Sequence, residues 1–393
     1  MSDHFAPAHV ANMTHSDYSG EFLLDHGLIY LNHAAVSPWP RRTAVAVQQF
    51  AEENMRQGAR HYPRWLETEA HLREQCRSLL NAPFADDIAL LKNTSEALSV
   101  VAHGLAWLVG DNVVISDQEF PSNRIVWQSL QHDGVETRCV DLTRGSSPEQ
   151  ALDACMDERT RLLAVSSVQY ASGLRLDLDR MGTLCRDRGV LFCVDAIQSL
   201  GALPLDVQAC GADFVMADGH KWLLGPEGCA VFYVRSQVRE RLRLKQYGWH
   251  MVEDHLDFSR QDWQVAASAR RFECGSPNMV GIHALNASLA LLAEVGMEAV
   301  AARVLANSAY LMEALSELPD IEILTPRQSG RYAGIVTFRH QRVDPANLHR
   351  QLLARNVICA QRGNGVRFSP HFYITRMQLE TAVAAVEEAT RTS

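Results

Sequence analysis

Short apolar runs alternate with amphipathic stretches through the first two thirds of the chain. The apolar runs predict buried strands at 88–91, 112–116, 135–140, 162–167, 191–194 and 214–217. The stretches between them predict helices at 96–108, 122–132 and 178–188. Strands that alternate with helices are typical of a mostly parallel sheet covered by helices on both faces. A further apolar run at 229–234 follows the last of these strands too closely for a helical crossover, so we expect those two strands to pair antiparallel.

The pattern changes near residue 280. Two long amphipathic stretches predict helices at 282–295 and 297–318. They are followed by a predicted helix near 345–355 and by short predicted strands at 321–324, 333–338 and 366–369. Thr375 and Gln378 resemble a capping box that opens a last helix. The chain is therefore predicted to be an α/β protein with a large domain, residues 30–280, and a smaller α+β domain, residues 281–393, against which residues 1–29 pack.

Composition narrows the class of protein. A chain of 393 residues with 47% apolar residues favours a two-domain globular protein. The formal net charge of -9 argues against nucleic-acid and anionic-membrane partners. We see no signal peptide and no apolar run approaching the ~18 residues of a membrane span. The nine scattered cysteines include no Cys-x-x-Cys pair, which favours reduced thiols in the cytoplasm. The sequence also lacks the His-Glu-x-x-His motif, so we do not expect a zinc site.

Two residues that end apolar runs carry the first chemical prediction. Lys221 follows the run at 214–217 and is next to Trp222. A lysine against apolar surface loses hydration, its pKa falls, and its neutral amine can form a Schiff base with an aldehyde. Asp195 ends the run at 191–194. A lysine for the aldehyde and an aspartate for the pyridinium nitrogen are the groups that pyridoxal phosphate most needs, although each residue alone is more often an ordinary turn or cap residue.

A phosphate site is the second requirement. Thr94 and Ser95 lie where a predicted strand turns into a helix, and a helix N-terminus favours an anion. The alternative is that one of these hydroxyls only caps the helix. His220, beside the lysine, is either a phosphate donor or a packing residue. Asp218, two residues before that histidine, is an awkward neighbour for a phosphate unless it points away and caps the turn.

Four further residues are candidates to contact the cofactor or the substrate, and each has an ordinary structural alternative. Phe120 could stack on a flat ring or belong to the core. Gln198 could bind the ring hydroxyl or simply begin a helix. Arg367 could bind a carboxylate bidentately or form a surface salt bridge. Ser276, in a loop rich in Gly and Pro, is an anion donor or a turn residue, and the aromatic segment 247–255 is a candidate lining of the substrate side.

These residues, in this order, resemble the class V aminotransferase family. The closest likeness is to the cysteine desulfurase and isopenicillin N epimerase-like branch of the fold-type I pyridoxal phosphate enzymes. The likeness runs from about Leu31 to the C-terminus and is carried, besides the lysine and aspartate, by the segments 93–97, 271–278 and 366–373.

The resemblance implies a role for each matching position. Lys221 would form the Schiff base and move the α-proton, and Asp195 would keep the pyridine nitrogen protonated. The phosphate would be bound in a homodimer by Thr94, Ser95, His220 and Ser276 of the partner subunit. The remaining implied roles are ring stacking for Phe120, contact with the ring oxygen for Gln198, binding of the substrate carboxylate for Arg367, and lining of the substrate side for His33.

The sequence departs from the family pattern in ways that leave the reaction open. Asp218 stands where desulfurases usually carry Ser or Thr, and Tyr170 where many carry Asn. Cys359, the nearest cysteine to Arg367, resembles a buried strand residue rather than a reactive thiol. We therefore expect an enzyme that takes the α-proton from an amino acid, with C–S lyase or cysteine desulfurase-like chemistry favoured on resemblance. The alternatives are an aminotransferase, an amino-acid epimerase, or a catalytically silent binding protein.

Overall fold

The computed structural model describes Tyr18 and residues 20–391. Within these residues the largest sheet has seven strands, namely β2 (Ile88–Leu91), β3 (Asn112–Ser116), β4 (Glu136–Val140), β5 (Thr160–Ser166), β6 (Leu191–Asp195), β7 (Phe214–Asp218) and β8 (Ala230–Val234). Their order across the sheet is β2-β8-β7-β6-β5-β3-β4. Strands β7, β6, β5, β3 and β4 pair in parallel, which confirms the sheet expected from the alternating pattern.

The predicted antiparallel pairing of β7 with β8 is confirmed, and a second antiparallel pairing that was not predicted adds β2 at the edge of the sheet. Strand β8 pairs antiparallel with β7, with Phe214 opposite Val234, and β2 pairs antiparallel with β8. Strands β6, β7 and β8 are buried along their whole length, because helices cover both faces of the sheet. Continuous apolar runs are the sequence pattern of such doubly covered strands.

Helices account for most of the remaining chain. Among the described residues they are α1 (Arg41–Gln57), α2 (Tyr62–Leu80), α3 (Thr94–Gly104), α4 (Ser122–Gln128), α5 (Pro148–Ala154), α6 (Leu178–Arg188), α7 (Ser236–Arg239), α8 (Met279–Val295), α9 (Met297–Ser316), α10 (Pro345–Ala354) and α11 (Arg376–Arg391). The sequence analysis did not predict α1, α2, α5 or the short α7. It extended α3 to residue 108, whereas the helix ends at Gly104, and it extended α4 to residue 132, whereas a 3-10 turn replaces the helix after Gln128.

A second, smaller sheet lies in the C-terminal part of the chain. It is antiparallel, in the order β12-β13-β10-β9, and consists of β9 (Ile321–Ile323), β10 (Val336–His340), β12 (Ala360–Arg362) and β13 (Gly365–Phe368). Helix α11 begins at the predicted capping box, in which the amide of Gln378 donates to the hydroxyl of Thr375 and the amide of Thr375 donates to Gln378 Oε1. This sheet and its helices are the smaller α+β domain of the predicted fold class.

The N-terminal segment joins this smaller unit through a two-stranded parallel sheet. Strand β1 (Ile29–Tyr30) pairs with β11 (Val357–Ile358). The expected packing of residues 1–29 falls partly outside the described part of the chain, since residues 1–17 and residue 19 are not described. The boundary between the two domains near residue 280 stays a prediction.

The carboxyl ends of the central parallel strands meet at one edge of the large sheet. Ser166 at the end of β5 lies opposite Asp195 at the end of β6, and Asp195 lies opposite Met216 of β7. In open α/β sheets, ligands bind outside this edge. The polar residues that end β6 and β7, Asp195 and Asp218, are therefore placed where a ligand is expected.

Candidate active site

A cavity of about 440 Å³ opens at the carboxyl ends of β6 and β7. Its walls come from the large sheet, from the segment before α1 and from the small-sheet hairpin. The lining residues are Ala34, Ala35, Val36, Asn93, Thr94, Ser95, Phe120, Ser122, Tyr170, Asp195, Ile197, Gln198, Asp218, His220, Lys221, Arg362 and Arg367. Eight of the ten predicted site residues thus line one cavity.

Lys221 lies in the turn between β7 and β8 and is 8% exposed. Burial lowers the pKa of its ammonium group, and the negative charge of Asp195 only partly opposes this effect. Its Nζ lies 5.6 Å from the centre of the Phe120 ring. The backbone of the turn is held from the N-terminal segment, because the hydroxyl of Ser37 donates to the Lys221 carbonyl at 2.5 Å. The result is a buried amine with an increased neutral fraction.

Asp195 is a buried carboxylate without a close cationic partner among the described residues. It is 2% exposed, and its side chain accepts a hydrogen bond from the amide of Ile197 at 3.0 Å. Burial raises the pKa of Asp195, since the amide hydrogen bond and the charge of Lys221 do not compensate for lost hydration. A cationic group bound beside this carboxylate would recover part of that cost.

The N-terminus of α3 shows which residue caps the helix. Asn93 is the cap, because its side-chain oxygen accepts the amide of Glu96 at 2.9 Å. The alternative in which Thr94 or Ser95 serves only as the cap is therefore wrong. Within the described part of the chain the Thr94 hydroxyl is buried without a hydrogen-bond partner, while the Ser95 hydroxyl donates to that of Ser122 at 2.8 Å. A buried unpartnered hydroxyl at a helix N-terminus is suited to an anion.

His220 and Asp218 form a pair on the same wall of the cavity. Nδ1 of His220 lies 3.2 Å from Oδ1 of Asp218, although the angle does not make a hydrogen bond. The same carboxylate oxygen accepts the amide of Gly219 at 3.1 Å. Asp218 thus caps its own turn, as the sequence suggested, but it does not point away from the site, because it lines the cavity and is 7% exposed.

Phe120 is held by a buried carboxylate directly before it in the chain. Glu119 accepts hydrogen bonds from the hydroxyl of Ser116 at 2.7 Å, from the side chain of Asn123 at 2.8 Å and from the amide of Ser166 at 3.0 Å. These bonds tie the loop after β3 to the end of β5. The Phe120 ring itself is 41% exposed at the cavity, so it is not a core residue. The exposed part of the ring borders the cavity.

Gln198 lines the cavity with both ends of its amide engaged by the protein. Its nitrogen donates to the carbonyl of Ala34 at 3.1 Å, and its oxygen accepts the indole N–H of Trp222 at 3.1 Å. An amide nitrogen has two hydrogens. One N–H is therefore left by these bonds for the ring oxygen of a cofactor.

Arg367 is a buried cation that faces the cavity with most of its donors unused. It lies on β13, is 1% exposed, and donates from Nη1 to the carbonyl of Tyr170 at 2.7 Å. Its Nε and Nη2 are buried and have no hydrogen-bond partner in Tyr18 or residues 20–391. Burial and, to a lesser extent, the nearby charge of Arg362 together lower the pKa of Arg367 to about 9. The surface salt bridge considered from sequence is therefore wrong, and the free edge of the guanidinium matches a carboxylate.

The structure does not bring the other two predicted residues into this cavity. His33 is fully buried, with Nδ1 2.8 Å from the carbonyl of Ser369 and Nε2 2.7 Å from the hydroxyl of Tyr373, while its neighbours Ala34 to Val36 form the wall. Ser276 lines a different cavity. The aromatic segment 247–255 borders a separate surface pocket rather than the substrate side of this site in the same chain.

Three contributors were missed or left without a role by the sequence analysis. Arg362 reaches the cavity from β12, and Asn93 caps α3 beneath it. Glu119 lies in the quoted segment before Phe120 but was given no role. The Asn-Thr-Ser-Glu pattern could have identified Asn93 as the cap, since Glu96 follows it by three residues. No local sequence pattern identifies Arg362 or Glu119 as site residues, because their positions depend on the packing of distant strands.

A second group of buried charges lies elsewhere, between α2 and the segment before α8. Arg73 donates to Glu69 at 2.5 Å and to Glu273 at 2.6 Å. Burial lowers the pKa of Arg73, but the two carboxylates outweigh this and raise it. His250 is close by, with Nδ1 3.7 Å from Glu273. These two carboxylates and the histidine are near enough to share a metal ion, but the carboxylates already bind the guanidinium.

The unpartnered atoms of the Lys221 cavity fit pyridoxal phosphate. Thr94 offers an unused hydroxyl for a phosphate, Asp195 a carboxylate in need of a cation, and Lys221 an amine with a lowered pKa. A fold-type I sheet with these groups at its carboxyl edge defines a pyridoxal-phosphate-dependent enzyme.

Comparison with known proteins gives the family. A family model described as Aminotransferase class-V matches residues 29–391. The chain is 31% identical over 389 residues to a probable cysteine desulfurase of Methanothermobacter thermautotrophicus, covering 93% of this chain and 95% of the relative. It is 29% identical over 346 residues to an uncharacterized aminotransferase of Bacillus subtilis, covering 88% of this chain and 90% of the relative. The chain belongs to the class V aminotransferase family, as the sequence predicted.

Solved structures agree on the fold. The apo cysteine desulfurase of Thermococcus onnurineus superposes with a TM-score of 0.86 at 24% identity, covering 96% of this chain and 98% of that one. A cystine C-S lyase bound to its reaction product, cysteine persulfide, superposes with a TM-score of 0.86 at 21% identity, covering 92% of this chain and 97% of that one. At these identities the likeness concerns the fold and leaves open which of the two reactions this chain performs.

Proposed function

We propose that this protein is a pyridoxal-phosphate-dependent C–S lyase that acts on cysteine, cystine or a related sulfur amino acid. The reaction removes the α-proton and breaks the bond between the β-carbon and sulfur. With cysteine, uptake of one water molecule then gives pyruvate, ammonia and sulfide. The observation that carries the choice of lyase over desulfurase is the absence of a cysteine from the Lys221 cavity.

All nine cysteines lie in the described part of the chain, and none of them lines this cavity. Cys359, the nearest in sequence to Arg367, is 4% exposed between β11 and β12. Burial raises the pKa of its thiol to about 12, so the thiolate is scarce at neutral pH. A desulfurase that transfers sulfur to its own cysteine needs an accessible thiolate near the substrate. A lyase does not.

The hairpin beside Arg367 also leaves little room for a mobile thiol-bearing loop. Arg362 of β12 pairs with Gly365 of β13, so only Gly363 and Asn364 connect the two strands. Gly363 has a φ of 55°, which glycine adopts without strain. A two-residue turn of this kind cannot carry a side chain across the cavity to the sulfur of a substrate.

The residues of the cavity divide the work of the proposed reaction. When bound, pyridoxal phosphate supplies an aldehyde that links the amino group of the substrate and a ring that withdraws electrons from its α-carbon. Arg367 binds the substrate carboxylate through its unused Nε and Nη2. Lys221, with a lowered pKa, has the neutral fraction needed to take the α-proton. Asp195 holds a proton on the ring nitrogen, because a buried carboxylate favours a cationic partner.

The remaining assignments concern cofactor position and assembly. Phe120 covers one face of the ring, and Gln198 donates its remaining N–H to the ring oxygen. Thr94, Ser95 and His220 bind the phosphate at the N-terminus of α3. We assign the last phosphate donor to Ser276 of the partner subunit in a homodimer, since Ser276 lies outside the Lys221 cavity of its own chain. A cytoplasmic location stays a prediction; among the described helices none combines the length and apolar character of a membrane span.

The test is an assay of products from the purified enzyme with L-cysteine and, separately, L-cystine. Sulfide, pyruvate and alanine are measured together, with the wild type, Cys359→Ala and Arg367→Ala. We expect pyruvate with released sulfur, no alanine, and unchanged rates in Cys359→Ala. Arg367→Ala is expected to raise KM for the amino acid by ~100-fold, since it removes a buried charge-assisted contact.

Other outcomes distinguish the alternatives. Alanine with sulfur that disappears in Cys359→Ala would overturn the lyase in favour of a desulfurase. Amino transfer to a keto acid, without either product, would indicate an aminotransferase, and α-proton exchange with loss of chirality would indicate an epimerase. Protein that stays colourless after incubation with pyridoxal phosphate would leave only a binding role.

A further inference from the structure

Asp218 introduces a negative charge into the part of the cavity assigned to phosphate. It ends β7, lines the cavity with Thr94 and Ser95, and is 7% exposed. Its negative charge also acts on Asp195 and Lys221, raising the pKa of each. A carboxylate at this place opposes the binding of a phosphate dianion unless a proton compensates its charge.

His220 provides the place for that proton. Its Nδ1 is buried 3.2 Å from the Asp218 carboxylate, and its Nε2 forms no hydrogen bond with the residues that the structure describes. A carboxylate beside one ring nitrogen favours a proton there and leaves the other nitrogen to bind a ligand. When the pair has taken up one proton, the carboxylate and the imidazolium have zero net charge together. The N–H at Nε2 of His220 can then donate to an anion.

We propose that Asp218 and His220 form a carboxylate–imidazole pair that takes up one proton from solvent when the phosphate of the cofactor binds, so that retention of the cofactor weakens as pH rises. The inference rests on the proposed cofactor site and adds a residue to it. Asp218 is then a positioning and charge-compensating residue, which acts through His220 rather than by donating to the phosphate.

Other charged and titratable groups near the pair must be separated from its effect. Asp195 faces it from β6, and Lys221 from the next turn of the chain. Cys229, before β8, is also within reach of the Asp218 charge. Arg362 and Arg367 line the same cavity from β12 and β13. All of these are present whether the ligand is pyridoxal phosphate or pyridoxal, which lacks the phosphate, so the ratio of the two affinities isolates the phosphate contribution.

The experiment titrates the full-length apoenzyme with pyridoxal phosphate and with pyridoxal from pH 6 to 9, following absorbance. It compares the wild type with Asp218→Asn and Asp218→Thr. Above pH 7 the free phosphate is already a dianion, because its second pKa is ~6. We expect the wild-type preference for the phosphorylated ligand to fall by up to ~10-fold per pH unit between pH 7 and 9, as uptake of one proton requires. In both variants the preference stays flat, and at pH 9 it exceeds that of the wild type by ~10-fold or more.

A matched control and two contrary outcomes complete the test. Glu227→Gln removes an exposed carboxylate from the same turn and should keep the wild-type pH dependence. If Asp218→Asn retains the wild-type slope, His220 takes the proton alone and the role of Asp218 is overturned. If only Asp218→Thr strengthens binding, the gain comes from its hydroxyl and not from loss of charge. Failure of every variant and the wild type to bind pyridoxal phosphate would instead refute the proposed cofactor site.

Discussion

Two largely buried arginines of this protein have opposite surroundings. The side chain of Arg73 is 13% exposed and has carboxylates from Glu69 and Glu273 at 2.5 and 2.6 Å. Arg367 is more deeply buried, yet among the residues that the structure describes it has one carbonyl partner, and two of its nitrogens have none. The pKa of Arg73 is raised by its partners, whereas that of Arg367 is lowered by burial. Burial of a charge is therefore not the feature that separates the two regions.

What differs is whether the charge is already paired within the chain. Arg73 already has two carboxylate counter-ions, Glu69 of α2 and Glu273 before α8, and so joins these two segments. A buried cation without a counter-ion costs free energy that a bound anion can recover. The same reasoning applies to Asp195 and to the Thr94 hydroxyl, which share the cavity with Arg367. Unpaired groups that converge on one space indicate a binding site better than burial or net charge does.

Replacement of Lys221 is the largest expected effect. Lys221→Ala removes the amine at the centre of the unpaired region, and we expect the rate of substrate turnover to fall by ~1,000-fold or more, since general-base catalysis alone contributes ~100- to 10,000-fold. Borohydride reduction followed by mass spectrometry should no longer attach the cofactor covalently to the chain.

Lys245→Ala, at an exposed lysine, is the control and should behave like the wild type in both measurements. Residual covalent labelling in Lys221→Ala at the wild-type level would show that another amine carries the aldehyde.

The two arginines can be compared directly by substitution with methionine. Arg73→Met leaves two buried carboxylates unpaired, so we expect the free energy of unfolding of the apoenzyme to fall by about 3–5 kcal/mol. Arg367→Met removes an unpaired cation and should raise that free energy by about 1 kcal/mol while impairing substrate binding. Urea denaturation of both apo variants measures the difference.

If both variants lost the same free energy of unfolding, the two arginines would not differ in how far they are paired within the chain. If Arg367→Met bound the substrate as tightly as the wild type, Arg367 would not be the residue that binds the substrate carboxylate.

The smallest effect concerns the pH at which the cofactor is captured. Because the pKa of Lys221 is lowered by burial, its neutral form is reached below the ~10.4 of an ordinary lysine. The initial rate of covalent capture should therefore rise by ~10-fold per pH unit only while the ammonium form predominates, and level off before pH 10. Stopped-flow absorbance of the apoenzyme with pyridoxal phosphate provides the profile.

Asp195→Asn sharpens this test. The Asp195 carboxylate raises the pKa of Lys221, so its neutralisation should move the plateau to lower pH. If the capture rate of the wild type kept rising up to the pKa of a free lysine, burial would not have lowered the pKa of Lys221.

The chemistry of strand ends could be predicted from the sequence, whereas contacts between distant segments could not. Asp195 and Lys221 follow apolar runs, and parallel strands place their carboxyl ends at one edge, so their proximity followed from the pattern. Arg367 was placed by its short strand and by the family resemblance. The bare pattern had no means of distinguishing an unpaired guanidinium from a salt bridge, because partners are set by tertiary packing.

The residues that were wrongly assigned to the site, or missed, also depend on contacts between distant segments. His33 lies next to the cavity wall in sequence, but its ring turns into hydrogen bonds with Ser369 and Tyr373, more than 300 positions away. Arg362 reaches the cavity only because β12 pairs with β13. The alternative in which Thr94 or Ser95 only caps α3 was wrong, because Asn93 accepts the helix amide.

The two-residue turn formed by Gly363 and Asn364 has a consequence for where the sulfur goes. Sulfur held on a protein thiol can be handed directly to a second protein that docks against the carrier. Under the proposed lyase reaction the sulfur leaves as a small molecule and reaches its acceptors by diffusion. The length of one hairpin turn would then decide between delivery by contact, with a chosen recipient, and delivery by release, whose recipient is any thiol or metal centre within reach.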